Sequence, residues 1–320
     1  MSDGIRSRVG AIDCGTNSIR LLVADVGDDV RLTDVLRRME IVRLGQGIDR
    51  TGVIAPEAME RTLAMTREYA GQCRELGVER VRFVATSASR DARNARTFVE
   101  GVHAAFAAVG LDVDVEVVAG DAEARLSFAG ATADLASLGI PGPYVVVDIG
   151  GGSTELVRGT ADVGAARSVD VGSVRMTERH LGSDPPLEEE VEGARRDVRA
   201  ALDTIEREVD LTGVGAVVGV AGTITTVTAH VLRLPAYDSQ AVHLARRPAE
   251  EHFRACRELL GMTRAQRAAL PYVHPGRVDV IGGGALVWSE VLERVLARSP
   301  GAVVVTSEHD ILDGIARSVS

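Results

Sequence analysis

No lysine occurs in the 320 residues, so all 36 basic side chains are arginines. That absence removes two chemistries. A G-x-x-x-x-G-K-[S/T] phosphate loop needs its lysine, and a Schiff-base enzyme needs a lysine amine. Anion recognition then falls to guanidinium groups, backbone amides, hydroxyls or a metal, although a GC-rich genome would give the same bias. Cysteine is also scarce. Cys14, Cys73 and Cys256 are odd in number and far apart, which argues against a disulfide framework and fits a reducing, cytoplasmic location. The seven histidines form no spaced pair typical of a metal site. Aromatic residues make up 3% of the chain, so its core must come from Val, Leu, Ile and Ala. No apolar run reaches the length of a membrane span. Residues 1–6 lack the apolar stretch of a secretory signal. The net charge of −10 argues against general nucleic-acid binding. It leaves room for a polyanionic substrate in a locally basic cleft.

What is present is a motif in duplicate. Asp13–Ser18 reads DCGTNS and Asp148–Ser153 reads DIGGGS, the second 135 positions after the first. Each follows an apolar run that reads as a buried strand, and each precedes a second strand. A strand, Asp-x-Gly, a small hydroxyl residue and a second strand make a tight hairpin in which Gly lets the backbone bend close to a ligand. Amides and hydroxyls of such a turn can hold phosphate oxygens, and its Asp can hold a metal or water. A plain hairpin turn uses Gly and Asn as well. Two copies point to a duplicated domain with a phosphate site between the halves.

The length suits two cores better than one. The first half predicts strands near 9–13, 19–26, 30–43, 81–85 and 113–118. Helices are expected over 56–76, 94–109 and 121–135. The second half predicts hairpin strands within 144–171, helices near 173–182 and 187–208, a buried strand at 214–221 and a helix over 224–232. Further helices fit 249–260 and 285–297, then a strand at 302–306 and a helix at 308–318. Residues 139–143 (GIPGP) form a breaker cluster between the halves. Glu188, Glu189 and Glu190 complement a helix N-terminus and face solvent.

The order of these segments resembles the acetate/sugar-kinase, heat-shock-chaperone and actin superfamily. The finer match is to the exopolyphosphatase / guanosine pentaphosphate phosphohydrolase family. It is carried by the two hairpins, by Thr86–Asn94 (TSASRDARN), by Gly120–Leu126 (GDAEARL), by the extension of the second hairpin to Leu156 and by Gly219–Thr223 (GVAGT). Asp279–Gly284 (DVIGGG) adds weaker support. The resemblance covers nearly the whole chain and implies a short, two-domain member. The fold it implies is α/β: two actin-like (ribonuclease H-like) domains, 1–128 and 129–306, with a cleft between them and a helix at 307–320 returning to the first.

The resemblance also distributes roles. Glu123 becomes the catalytic base that takes a proton from the attacking water; by pattern alone it is an acid in a first helical turn, favoured there by the helix dipole. Asp148, Glu155 and Asp13 become ligands of Mg²⁺ or Mn²⁺, where the alternative for each is a turn cap or a solvated strand residue. Gly15, Thr16, Asn17 and Ser18 form one phosphate cradle, and Gly150, Gly151, Gly152 and Ser153 the facing one. Arg90 binds phosphate, its alternative being a surface ion pair. Gly222 and Thr223 either touch a nucleotide or simply open a helix. Arg20, Arg43, Arg175, Arg246, Arg247 and Arg277 are candidates for a longer anion channel. Cys14 reads as a buried filler.

The implied reaction removes terminal orthophosphate from inorganic polyphosphate, with guanosine pentaphosphate as the alternative substrate. A phosphotransferase of the same superfamily and a non-catalytic nucleotide sensor are the competing classes. The filled Glu123 position argues against both. A homodimer is the default for a soluble enzyme of this size.

Overall fold

The computed structural model describes residues 5–27, 32–133, 135–136 and 138–319. Readings on residues 1–4, 28–31 and 320 therefore lie outside the described residues. The chain divides into two compact units, Met1–Leu126 with Ile311–Ser320, and Ser127–Asp310.

The first unit runs β1 (Ile5–Cys14), β2 (Ser18–Gly27), β3 (Leu32–Ile41), α1 (Ile48–Thr51), α2 (Pro56–Glu75), β4 (Arg80–Ala85), α3 (Ser87–Asp91), α4 (Ala95–Ala107), β5 (Val113–Val117) and α5 (Gly120–Thr132), in whose third turn the unit boundary falls. Its sheet order is β3-β2-β1-β4-β5. β1 to β3 pair antiparallel, and β4 and β5 join in parallel. Period-two alternation buries β1 on both faces. Ile12 and Cys14 pack with Tyr69 and Phe98 of α2 and α4. Val9 and Ala11 pack with Ile311 and Ile315 of the terminal helix. Burial pushes the Cys14 thiol well above its ordinary range, which suits a filler and not a nucleophile.

The second unit runs β6 (Tyr144–Ile149), β7 (Thr154–Gly159), β8 (Val163–Val169), α6 (Ser173–His180), α7 (Glu188–Ile205), β9 (Ala216–Val220), α8 (Ala221–Val231), α9 (Ser239–Val242), β10 (Ala245–Arg246), α10 (Ala249–Gly261), α11 (Arg264–Ala268), α12 (Ile281–Arg298) and β11 (Val303–Thr306). The last element, α13 (Ile311–Val319), returns to the first unit. The sheet order is β10-β11-β9-β6-β7-β8. An antiparallel meander followed by two parallel strands thus recurs in both units, as expected of a duplicated α/β fold. Among the described residues no helix is long and apolar enough to cross a membrane.

The short elements α1, α3, α9, β10 and α11 fall outside the expected elements, and three further features differ from the expectation. The expected helix near 285 begins at Ile281 and takes Gly282, Gly283 and Gly284 into its first turn. Three glycines oppose helix formation by propensity, yet tertiary packing demands them. A Cβ on Gly283 would lie 2.5 Å from Thr177 Oγ1 and 2.9 Å from the Ser173 carbonyl oxygen. α8 likewise begins at Ala221, before the expected start at Ile224, with Ala221 in the left-handed region at φ 63°. Glu190 is also more than a solvent-facing acid: its carboxylate reaches back to accept from the backbone N–H of Leu187, the residue before α7.

The core of the second unit is built around Trp288, which is fully buried. Its indole Nε1–H donates to His252 Nδ1 at 3.3 Å. Burial lowers the His252 pKa to about 4 from an ordinary 6.5. The unfolded chain thus takes up this proton at higher pH than the folded one, and stability falls as pH drops from 6.5 towards 4, by about 3 kcal/mol in full. His252→Gln keeps an acceptor for Trp288 and removes the titration. Urea unfolding at pH 4.5 and 7 should show the variant losing less stability on acidification than the wild type. Gly283→Ala, although favoured by helix propensity, should destabilise by about 1–3 kcal/mol through overpacking; a variant as stable as the wild type in the same assay would refute that packing account.

Candidate functional site

The two glycine turns close in the same way. Gly15 N–H donates to Ser18 O, and Gly150 N–H to Ser153 O, each at 3.0 Å. In both, the segment after the third strand ties down the turn's carbonyls. Asn17 O accepts from Val42 and Arg43, and Thr16 O from Gly45; Gly150 O accepts from Ser173, and Gly151 O from Val174 and Arg175. The N–H groups of Thr16, Asn17, Gly151 and Gly152 donate to no backbone oxygen among the described residues. Successive amides of that kind form an anion-binding concavity. Gly is required around the second turn. A Cβ on Gly172 would meet the Gly151 carbonyl oxygen at 2.6 Å.

In the first unit, Thr16 Oγ1 and Ser87 Oγ lie 2.9 Å apart, both buried, so α3 docks on the turn. Arg90, from α3, donates through Nη1 to Glu123 Oε2 at 2.6 Å and to Val118 O at 3.0 Å. Glu123 is buried in the first turn of α5. The sequence reading placed Arg90 on phosphate and Glu123 on water; the structure brings the two together as one charge-assisted pair, which holds the carboxylate in a single orientation.

The duplicated hairpins differ in one telling position. Asp13 pairs across its hairpin with Arg20, which donates through Nε and Nη2 to Asp13 Oδ2 at 2.9 and 2.7 Å. Asp148 pairs at the corresponding register with Glu155. The first turn therefore carries an ion pair, and the second carries two carboxylates side by side, buried to 6% and 1% exposure. Like charges directly opposite are destabilising in a sheet. Their joint presence suits a divalent cation, which takes one or two carboxylates and completes its shell with phosphate oxygens and water. Among the described residues no three His, Cys, Asp or Glu side chains gather on one point. Two serines outside the sequence motifs bind this pair. Ser127 Oγ donates to Asp148 Oδ2, and Ser168 Oγ donates to Glu155 Oε1 at 2.6 Å.

Gly222 and Thr223 open α8 beside the glycine turn of α12. A Cβ on Gly222 would fall within 2.0 Å of the Arg277 guanidinium, and one on Gly284 within 2.7 Å of Thr223 Oγ1. Arg175 Nε donates to Gly152 O at 2.8 Å, reinforcing the second turn. Arg246 donates to Leu138 O and Arg247 to Glu251. Sequence reasoning missed Ser127, Ser168 and Ser87. Ser87 lies within the quoted Thr86–Asn94 segment without a role of its own, and for Ser127 the spacing of four residues from Glu123 on one helix was the signal available.

The chain was compared with known proteins. Exopolyphosphatase 2 of Mycobacterium tuberculosis is 50% identical over 317 residues, spanning 98% of this chain and 99% of that protein. The crystal structure of an exopolyphosphatase-like protein superposes with a TM-score of 0.93 at 43% identity, covering 98% of this chain and 97% of the other. The Aquifex aeolicus member of the Ppx/GppA family superposes at 0.77 and 31% identity, covering 98% and 97%. The resemblance carried by the five sequence segments is thus confirmed along almost the whole chain. With residues 22–318 matching the family as a unit, the chain belongs to the Ppx/GppA phosphatase family.

Proposed function

We propose that the chain is an exopolyphosphatase: it hydrolyses the terminal phosphoanhydride of inorganic polyphosphate and repeats the step from the chain end. The observation that carries this reading is the divergence of the duplicated turn, with Asp148 opposite Glu155 where the other copy has Asp13 opposite Arg20. The 50% identical relative named Exopolyphosphatase 2 supports the substrate class. Backbone amides and hydroxyls at Thr16, Asn17, Ser18, Gly151, Gly152 and Ser153 take phosphate oxygens. Asp148 and Glu155 hold the metal; Asp13, neutralised by Arg20, is left out of the ligand set. Bound there, Mg²⁺ or Mn²⁺ offsets phosphate charge and orients the terminal phosphoryl group.

Glu123 accepts a proton from water as that water attacks the terminal phosphorus. The anhydride P–O bond breaks, orthophosphate forms, and the shortened chain departs with the bonding pair. Arg90 keeps the Glu123 carboxylate aimed and offers its remaining N–H groups to phosphate oxygens. Little covalent chemistry is asked of the protein; positioning and charge neutralisation carry the rate.

Glu123→Gln preserves shape and hydrogen bonding to Arg90 while removing the base. Phosphate release from polyphosphate with Mg²⁺ should fall by about 10²–10⁴-fold in kcat, with KM little changed. A variant that keeps most of its activity would strip Glu123 of its role. Guanosine pentaphosphate run in parallel should be the poorer substrate by kcat/KM; faster release from it would reassign the substrate.

A further inference from the structure

We propose that Ser127 and Ser168 are positioning residues that set the affinity of the Asp148–Glu155 pair for a divalent cation, an inference that rests on the reading of that pair as the metal site. The four residues form one chain of contacts. Ser127, fully buried on α5, donates to Asp148; Asp148 faces Glu155 across β6–β7; Glu155 faces Ser168 across β7–β8 and accepts its hydroxyl hydrogen. The serines approach from opposite sides, one from a helix and one from a strand.

Two physical consequences follow. A hydroxyl that donates to a carboxylate oxygen makes a charge-assisted hydrogen bond, so each serine offsets part of the like-charge repulsion between Asp148 and Glu155. Each donor also engages one oxygen at a fixed position, which fixes the side-chain rotamer and hence the direction of the second oxygen. Rotamer freedom is then already lost before an ion arrives, and less is lost on binding. Groups that orient metal-binding carboxylates in this way alter affinity by about 10–100-fold when removed. The other hairpin shows the contrast. There Asp13 faces the guanidinium of Arg20 and not a second carboxylate.

The choice of variants keeps folding out of the answer. Ser127→Ala lies in a helix, where Ala is the better former, and Ser168→Thr restores the donor in a strand that tolerates β-branching. Mn²⁺ binding, followed by loss of the free-ion electron paramagnetic resonance signal, should weaken about tenfold in Ser127→Ala and in Ser168→Ala, and further in the double variant. Ser168→Thr should bind like the wild type. Phosphate release from polyphosphate should need about tenfold more Mg²⁺ for half-saturation, with kcat at saturating Mg²⁺ within about twofold. Asp148→Asn serves as the reference. If it abolishes Mn²⁺ binding while both alanine variants bind like the wild type, the serine roles are overturned and the metal site stands. If Asp148→Asn itself binds normally, the metal site and the inference fall together.

Discussion

The register of the β6–β7 hairpin places two buried carboxylates face to face, and the chemistry of the second unit follows from that constraint. Asp148 and Glu155 are Cα partners in an antiparallel pair, so their side chains leave the same face of the sheet. A slip of one residue would send one of them to the opposite face. The hairpin is held against such slippage at its turn. Gly150 N–H closes the turn on Ser153 O, and Thr154 Oγ1 donates to Val171 O at 2.6 Å. Apolar neighbours Val147 and Leu156, both fully buried, require the same register. Core packing and site geometry therefore select one alignment.

Duplication supplies an internal control for this argument. The first hairpin has the same closing hydrogen bond, the same Asp and turn carbonyls likewise held by the segment after its third strand, yet Arg20 stands at the position of Glu155. Hairpins of the same register thus carry an ion pair in one unit and two facing carboxylates in the other. Backbone donors for anions are common to both; the side chain at one cross-strand position separates their roles.

The parts legible in the sequence were those governed by local chemistry. The Asp-x-Gly turns, the alternating apolar strands and the two-unit plan all depend on near neighbours in the chain, and they appear in the structure. The first turn of α12 was not legible, because Gly282, Gly283 and Gly284 are helix breakers by propensity and helical only through close packing on Ser173, Thr177 and Thr223. Pairing of Arg90 with Glu123 spans 33 positions and follows from how β4, α3 and α5 meet, which no spacing rule encodes. Ser127 and Ser168 were invisible for a different reason. A serine on a helix or strand carries no pattern of its own, and its worth appears only once its acceptor is known.

A chain with ten excess negative charges must still present positive groups to a polyanion, and the lysine-free composition determines how. Three arginines near the glycine turns are anchored: Arg20 on Asp13, Arg90 on Glu123 and Val118 O, Arg175 on Gly152 O. A planar guanidinium held by part of its fork keeps further N–H donors in fixed directions, and less rotamer freedom remains to be lost on binding than for a lysine stem. Surface charge falls off within a Debye length of about 8–10 Å in physiological salt, whereas these anchored forks act at contact distance. Net charge and local recognition therefore separate cleanly. The exterior carries the excess of negative charge, while the anchored guanidiniums keep N–H donors in set directions beside the glycine turns.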